Sequence, residues 1–154
     1  MANTFYQVTL QVIFAVRFRE ALIDDSFREK LHKYIVGIVK NQNQKLLCIN
    51  SMPDHIHILL GVSPSMRVSD LVREIKSSSA SYINENQLSR KKFYWQNGYG
   101  VFSYSMSHRK KIISYIENQQ RHHQKIDFRD EYLKFLKSFN IRYERKYLFD
   151  FFDV

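Results

Sequence analysis

Cysteine, proline and glycine are scarce in this chain of 154 residues, and each scarcity excludes a class of architecture. The one cysteine, Cys48, excludes an internal disulfide framework and a cysteine-rich zinc site. Cys48 lies in the apolar run 46–49, where we expect a buried, unreactive thiol. With four glycines and two prolines the chain has no flexible linker, so we expect a single domain over residues 1–154.

Long hydrophobic runs are also absent. No segment reaches the roughly 18 apolar residues that are needed to span a bilayer. Near the N-terminus, Gln7, Thr9 and Gln11 interrupt the apolar residues, which is unlike the core of a signal peptide. We therefore expect a cytoplasmic protein without a membrane partner.

Basic and aromatic residues are abundant by contrast. The chain has 24 Lys and Arg against 15 Asp and Glu, and its net charge of +9 favours a nucleic-acid partner. Cationic side chains neutralise phosphates, and aromatic faces stack on unpaired bases with about 1–3 kcal/mol each. The alternative interpretation is solvated surface charge beside core aromatics. The candidate DNA-binding residues are Arg90, Lys91, Lys92, Trp95, Arg109, Lys110 and Lys111.

Hydrophobic periodicity predicts an α+β fold. Apolar residues alternate over 4–17, which indicates a strand with one buried face. The order βαββαβ, followed by helices, favours a ferredoxin-like or RRM-like antiparallel sheet with helices packed on one face, plus C-terminal helices. After the first strand, the predicted elements are a helix from 24–26 to about 41, strands near 45–51 and 55–62, a helix from about 69, a strand over 98–105, and helices over 107–124 and around 128–136.

The first candidate for chemistry is the pair His55 and His57. Residues two apart on a strand share a face, so both imidazoles would point together while Ile56 enters the core. Two neutral imidazoles on a rigid strand form half of a divalent-metal site. The alternative is a half-buried strand with two polar outward residues.

The second candidate is the pair Tyr115 and Gln119. At i and i+4 of a helix, a phenol hydroxyl and an amide oxygen lie on the same face. Tyrosine suits a covalent phosphoryl intermediate because the phenol is a good leaving group and the step is reversible. Alternatively, Tyr115 is a packing residue. His122 and His123 follow on this helix and receive no primary role.

The segment 52–59, which contains His55-Ile56-His57, resembles the histidine–hydrophobe–histidine motif of single-tyrosine HUH transposases (TnpA) of small bacterial insertion sequences. The resemblance continues through 68–78, 95–100 and 115–123, and covers about residues 5 to 149. It implies that His55, His57 and Gln119 bind Mg²⁺ or Mn²⁺, and that Tyr115 is the nucleophile. It also implies cleavage of single-stranded DNA beside hairpins through a 5′-phosphotyrosine, in a homodimer whose subunits can complete each other's metal sites.

Two features depart from the family pattern: the glutamines Gln7 and Gln11 of the first strand, and the acidic-aromatic end 150–153. We expect neither to touch the proposed chemistry. Two alternatives to an active transposase stay open at this point. One is a hairpin-binding regulator that does not cut DNA, and the other is a domesticated relative that processes chromosomal hairpins.

Overall fold

The computed structural model describes residues 3–122 and 126–144, which form a four-stranded sheet with helices. The strands are β1 (Thr9–Ala15), β2 (Lys45–Met52), β3 (His55–Gly61) and β4 (Gly100–Tyr104). Neighbouring strands pair antiparallel in the order β2-β3-β1-β4. This topology confirms the predicted ferredoxin-like α+β fold, with β1 and β3 at the centre.

Two long helices cover one face of the sheet, as the periodicity predicts. They are α1 (Asp25–Asn41) and α2 (Val68–Glu85). Alternate side chains of the central strands point to this face and are buried, among them Phe14 and Ile58, which are at most 1% exposed. They pack against buried helix residues such as Leu31 of α1 and Ile75 of α2. Helix α1 begins and ends, and α2 begins, close to the predicted positions because their apolar residues recur at helical spacing.

Three shorter helices cover the opposite face. They are α3 (Arg109–Glu117), α4 (Gln119–His122) and α5 (Phe128–Ser138). Ile13 and Phe102 of the sheet pack against α5, while Leu59 packs against Ile116 of α3. The expectation of one buried face for the first strand is therefore wrong, because all seven residues of β1 are buried. Helices on both sides exclude water from both faces of the central strands.

The third predicted helix is interrupted. A short 3-10 helix (Met106–His108) precedes α3, and Asn118 ends α3 with its side-chain amide donating to the Ser114 carbonyl oxygen at 2.8 Å. The prediction of one continuous helix over 107–124 is wrong at this break. Among the described residues no helix is long and apolar enough to cross a bilayer. The acidic-aromatic end 150–153 and His123 lie outside the described residues.

Candidate active site

The two histidines of β3 lie together on the face that α3–α5 cover. His55 and His57 are fully buried, and their ring centroids are 5.2 Å apart. Ile56 between them belongs to the core on the other face. The alternation of β3 thus produces the shared orientation that the sequence predicts.

Gln11 of β1 orients His57. The Oε1 atom of Gln11 lies 2.7 Å from Nδ1 of His57, and its Nε2 donates to the Tyr104 hydroxyl at 2.9 Å. Since the Gln11 amide nitrogen donates to Tyr104, its oxygen faces His57 and accepts a hydrogen bond from the Nδ1–H of that ring. The Nε2 atom of His57 then faces the centre of the site. The expectation that Gln11 lies away from the chemistry is therefore wrong.

Asp54 orients His55 in the same way. The Nδ1 atom of His55 lies 2.6 Å from Oδ1 of Asp54, whose Oδ2 lies 3.5 Å from Nε of Arg19. Burial alone would raise the pKa of the Asp54 carboxyl, but its hydrogen bond to His55 and the charges of His55 and Arg19 outweigh this effect and lower the pKa. Burial lowers the pKa of His55 to about 4, although its bond to Asp54 acts in the opposite direction. His55 is thus neutral at neutral pH, as a metal ligand must be.

A carboxylate from α5, Glu131, completes the cluster. Its Oε1 lies 3.0 Å from Nε2 of His57 and 3.7 Å from Nε2 of His55, and only 1% of its side chain is exposed. The sequence analysis missed this residue. The sequence feature that could have identified Glu131 is an acidic residue on the buried face of an amphipathic helix, three positions after Phe128 and one before Tyr132.

Tyr115 and Gln119 face the same carboxylate. The Tyr115 hydroxyl donates to Oε2 of Glu131, and Nε2 of Gln119 donates to that same oxygen at 3.2 Å. Burial, followed by the negative charge of Glu131, raises the pKa of Tyr115 well above its ordinary value. The predicted nucleophile and the predicted third ligand therefore come together beside His57, although α3 ends between them.

The donor set fits a divalent cation. His55, His57 and Glu131 each offer a ligand atom, and these atoms lie within 4.8 Å of one another. The buried Oε1 of Gln119 has no hydrogen-bond partner, which leaves an amide oxygen available as a further ligand. Imidazole nitrogens with carboxylate and amide oxygens form a shell that Mg²⁺ or Mn²⁺ accepts.

Comparison with known proteins gives a family. The model of the family described as "Transposase IS200 like" matches residues 4–119, which is most of the chain. This chain belongs to the IS200-like transposase family. Membership in this family implies that the chain is a transposase, an enzyme that cuts DNA.

Two proteins that are similar in sequence to this chain are also transposases. The ISDra2 transposase TnpA of Deinococcus radiodurans is 27% identical over 119 residues, which cover 74% of this chain and 85% of the relative. The IS200 transposase of Salmonella typhimurium is 26% identical over 125 residues, covering 77% and 81% of the two chains.

Two solved structures share the fold of this IS200-like family member. A Deinococcus radiodurans R1 protein described as a transposase is 26% identical with a TM-score of 0.63, covering 77% of this chain and 95% of that one. A REP-associated tyrosine transposase, solved with a REP hairpin, is 15% identical with a TM-score of 0.61, covering 82% and 76%, and supports the fold alone.

The predicted DNA-binding residues of this family member fall into two separate groups. Arg90, Lys91 and Lys92 are exposed near the C-terminal end of β1, where Val16 pairs with Trp95. Arg109 donates to Thr9 at the other end of β1, at 3.0 Å, beside the exposed Lys110 and Lys111. Seven strand residues separate the two groups by roughly 20 Å.

Trp95 requires a correction. Only 8% of its surface is exposed, and its indole N–H donates to the Ser79 hydroxyl at 2.9 Å. The ring packs edge-on against Phe14 and Phe93 in the core. A ring in this position cannot stack on a base, whereas its neighbour Tyr94 is 43% exposed.

Proposed function

We propose that this chain cleaves and rejoins single-stranded DNA next to hairpins at the ends of an insertion sequence, with Tyr115 as the nucleophile. One observation carries the proposal: the Tyr115 hydroxyl contacts the carboxylate that also faces the paired histidines of β3. Family membership supports DNA strand transfer. The tyrosine transposase that shares the fold was solved bound to a REP hairpin, and by analogy we propose a hairpin as the ligand of this chain.

Glu131 has the position of a proton acceptor. Because the raised pKa keeps the Tyr115 phenol protonated at neutral pH, the phenol must lose its proton as it attacks. Oε2 of Glu131 already accepts a hydrogen bond from that hydroxyl and can take the proton. The Tyr115 oxygen then bonds to phosphorus, the bond from phosphorus to the 3′ oxygen breaks, and that oxygen is protonated to a 3′-hydroxyl. The 5′-phosphotyrosine keeps the ester bond, so rejoining is the same step in reverse.

The proposed metal ligands are Nε2 of His55, Nε2 of His57, the amide oxygen of Gln119 and the carboxylate of Glu131. When Mg²⁺ or Mn²⁺ is bound, it supplies positive charge at the scissile phosphate. The hydrogen bonds of Asp54 and Gln11 keep the two Nε2 atoms directed at the cluster.

We also propose that the active form is a homodimer. One tyrosine per chain holds one cleaved end, and strand exchange needs two. In this structure Tyr115 lies beside the histidines of its own chain, with its ring centroid 6.1 Å from that of His57. Mixing Tyr115→Phe with His57→Ala protein tests whether the sites are completed in trans. Recovery of cleavage in the mixture requires sharing between subunits, and no recovery shows that each site works in cis.

The cleavage test uses end-labelled single strands that carry the hairpins flanking the gene, with and without Mn²⁺, on a denaturing gel. We expect a Mn²⁺-dependent protein–DNA adduct that is lost in Tyr115→Phe while hairpin binding is retained. Tyr132→Phe is the matched control, since Tyr132 is a buried tyrosine of α5 without a place in the chemistry, and it should keep the adduct.

Two results would contradict the proposal. Cleavage that persists in His57→Ala would contradict the assignment of His57 as a metal ligand. Tight hairpin binding without any adduct, on all the flanking hairpins, would favour the hairpin-binding regulator that does not cut DNA.

A further inference from the structure

A cavity opens beside Tyr115, between α3 and α5. Its volume is about 370 Å³, within the range of about 300–1,000 Å³ that is typical of small-ligand pockets. Tyr104, Phe135 and Phe139 supply aromatic walls, and Tyr115 and Glu131 form the end next to the candidate metal site. The cavity thus reaches the hydroxyl that acts as the nucleophile in the proposed function.

The aromatic rings of the cavity belong to one cluster, which is joined through the buried ring of Phe102 behind them. The Phe135 ring lies 5.8 Å from the Tyr115 ring and 5.1 Å from that of Phe102, and Phe102 lies 5.0 Å from Phe139. Phe139 is 37% exposed, although it ends a helix whose other aromatic residues are more buried. An exposed ring at the side of a cavity offers a stacking surface for a flat ligand.

Cationic groups line the same cavity. Lys111 of α3 and Lys134 of α5 are both exposed, and both belong to its lining. Ammonium groups beside aromatic faces are the combination that binds an unpaired nucleotide, because the cations neutralise phosphate and the rings stack on the base. Lys111 was a sequence-based candidate for DNA binding, whereas Lys134 was not.

We propose that this cavity receives the unpaired base of the nucleotide that adjoins the phosphate attacked by Tyr115, with Lys111 and Lys134 on the flanking phosphates. The inference rests on the proposed function and deepens it. A base held in a duplex cannot leave its partner to enter a side cavity without first unpairing. The cavity therefore restricts cleavage to single strands, independently of hairpin recognition.

The test compares intact strands with strands that lack one base. After the cleavage position is mapped, an abasic site is placed on either side of it, and kcat/KM for adduct formation is measured. We expect one of the two abasic strands to react at least about fivefold more slowly, the factor for about 1 kcal/mol of stacking. Phe139→Leu, which keeps an apolar side chain and removes the ring, should slow the intact strand similarly and show no further loss on the abasic strand. Phe139→Tyr should restore the rate.

The control variant is Tyr34→Leu. Tyr34 is also 37% exposed, but it lies on α1, which covers the opposite face of the sheet. We expect wild-type rates and the wild-type sensitivity to the abasic site. Adducts that form equally well on both abasic strands, or with Phe139→Leu, would overturn the cavity assignment and leave the proposed function intact.

A second measurement is independent of cleavage. Tyr115→Phe protein is titrated into a ten-nucleotide oligo(dT) with one central 2-aminopurine, whose fluorescence is quenched by stacking. We expect quenching that Phe139→Leu, in the same background, reduces and Tyr34→Leu does not. If no strand gives an adduct, the proposed function fails, and this fluorescence comparison still decides whether the cavity binds a base.

Discussion

Replacing Gln11 with leucine tests the link between the first strand and the metal site. Gln11 is fully buried, and its side chain bonds both His57 and Tyr104. Leucine has a similar size but accepts no hydrogen bond, so His57 loses the acceptor of its Nδ1 proton. That proton can then move to Nε2, which donates a hydrogen bond to Glu131, so Nε2 no longer presents a lone pair to the cluster.

The magnitude follows from these contacts. An unpaired polar group on a buried imidazole costs about 1–3 kcal/mol. The Tyr104 hydroxyl is half-buried and can turn toward water, so it adds little. In a chain of 154 residues this loss lowers the melting temperature by about 2–12 °C. Losing the partner that orients a metal-ligating histidine weakens metal binding by about 10–100-fold.

The assay is calorimetric titration of the protein with MnCl₂, together with a thermal melt of the metal-free protein. Gln11→Glu keeps an acceptor for His57 and should retain Mn²⁺ affinity. Gln7→Leu makes the same change at an exposed position of the same segment, where it removes the acceptor of the Thr9 hydroxyl but no contact with His57, and should leave Mn²⁺ affinity unchanged. Unchanged Mn²⁺ affinity and an unchanged melting temperature in Gln11→Leu would refute this reasoning.

Three further predictions concern the scaffold. Gly100→Ala would place a Cβ 2.6 Å from the Tyr132 hydroxyl, so the Tyr132 ring on α5 must shift, and calorimetry should show weaker Mn²⁺ binding with a lower melting temperature. Burial, followed by the charge of Arg28, lowers the pKa of His32 to about 4, below its ordinary 6.5. Between these values the unfolded chain takes up a proton that the folded chain does not, so the urea midpoint should fall from pH 6.5 to pH 4, and less steeply in His32→Gln. Burial, followed by the charge of Glu117, raises the pKa of the Cys48 thiol to about 11, so a maleimide should label it only after urea unfolds the chain.

Local periodicity accounts for the part of the site that the sequence predicts. A strand repeat of two brings His55 and His57 to one face, and helical spacing brings Gln119 close to Tyr115 even though α3 ends at Glu117. Both relations involve residues at most four apart. Both relations can therefore be predicted correctly even when the predicted ends of the strand or helix are wrong by a few residues.

The contacts that complete the site are not local. Gln11 is 46 residues from His57, and Glu131 is 74 residues away. Their meeting depends on the pairing of β1 with β3 and on how α5 lies on the sheet, which spacing along the chain does not fix. The wrong prediction for Trp95 has a similar cause. The basic residues next to it in the sequence suggested that its ring lies on the surface. The alternation of buried Phe93, exposed Tyr94 and buried Trp95 follows from the bridge to Val16.

The most direct test of the central claim is mass spectrometry of the protein after reaction with hairpin DNA and Mn²⁺. The account predicts one DNA strand per chain, attached through a 5′-phosphate to the peptide that contains Tyr115, and no adduct in Tyr115→Phe. An adduct on another residue, or cleaved DNA with no adduct at any time point, would contradict it.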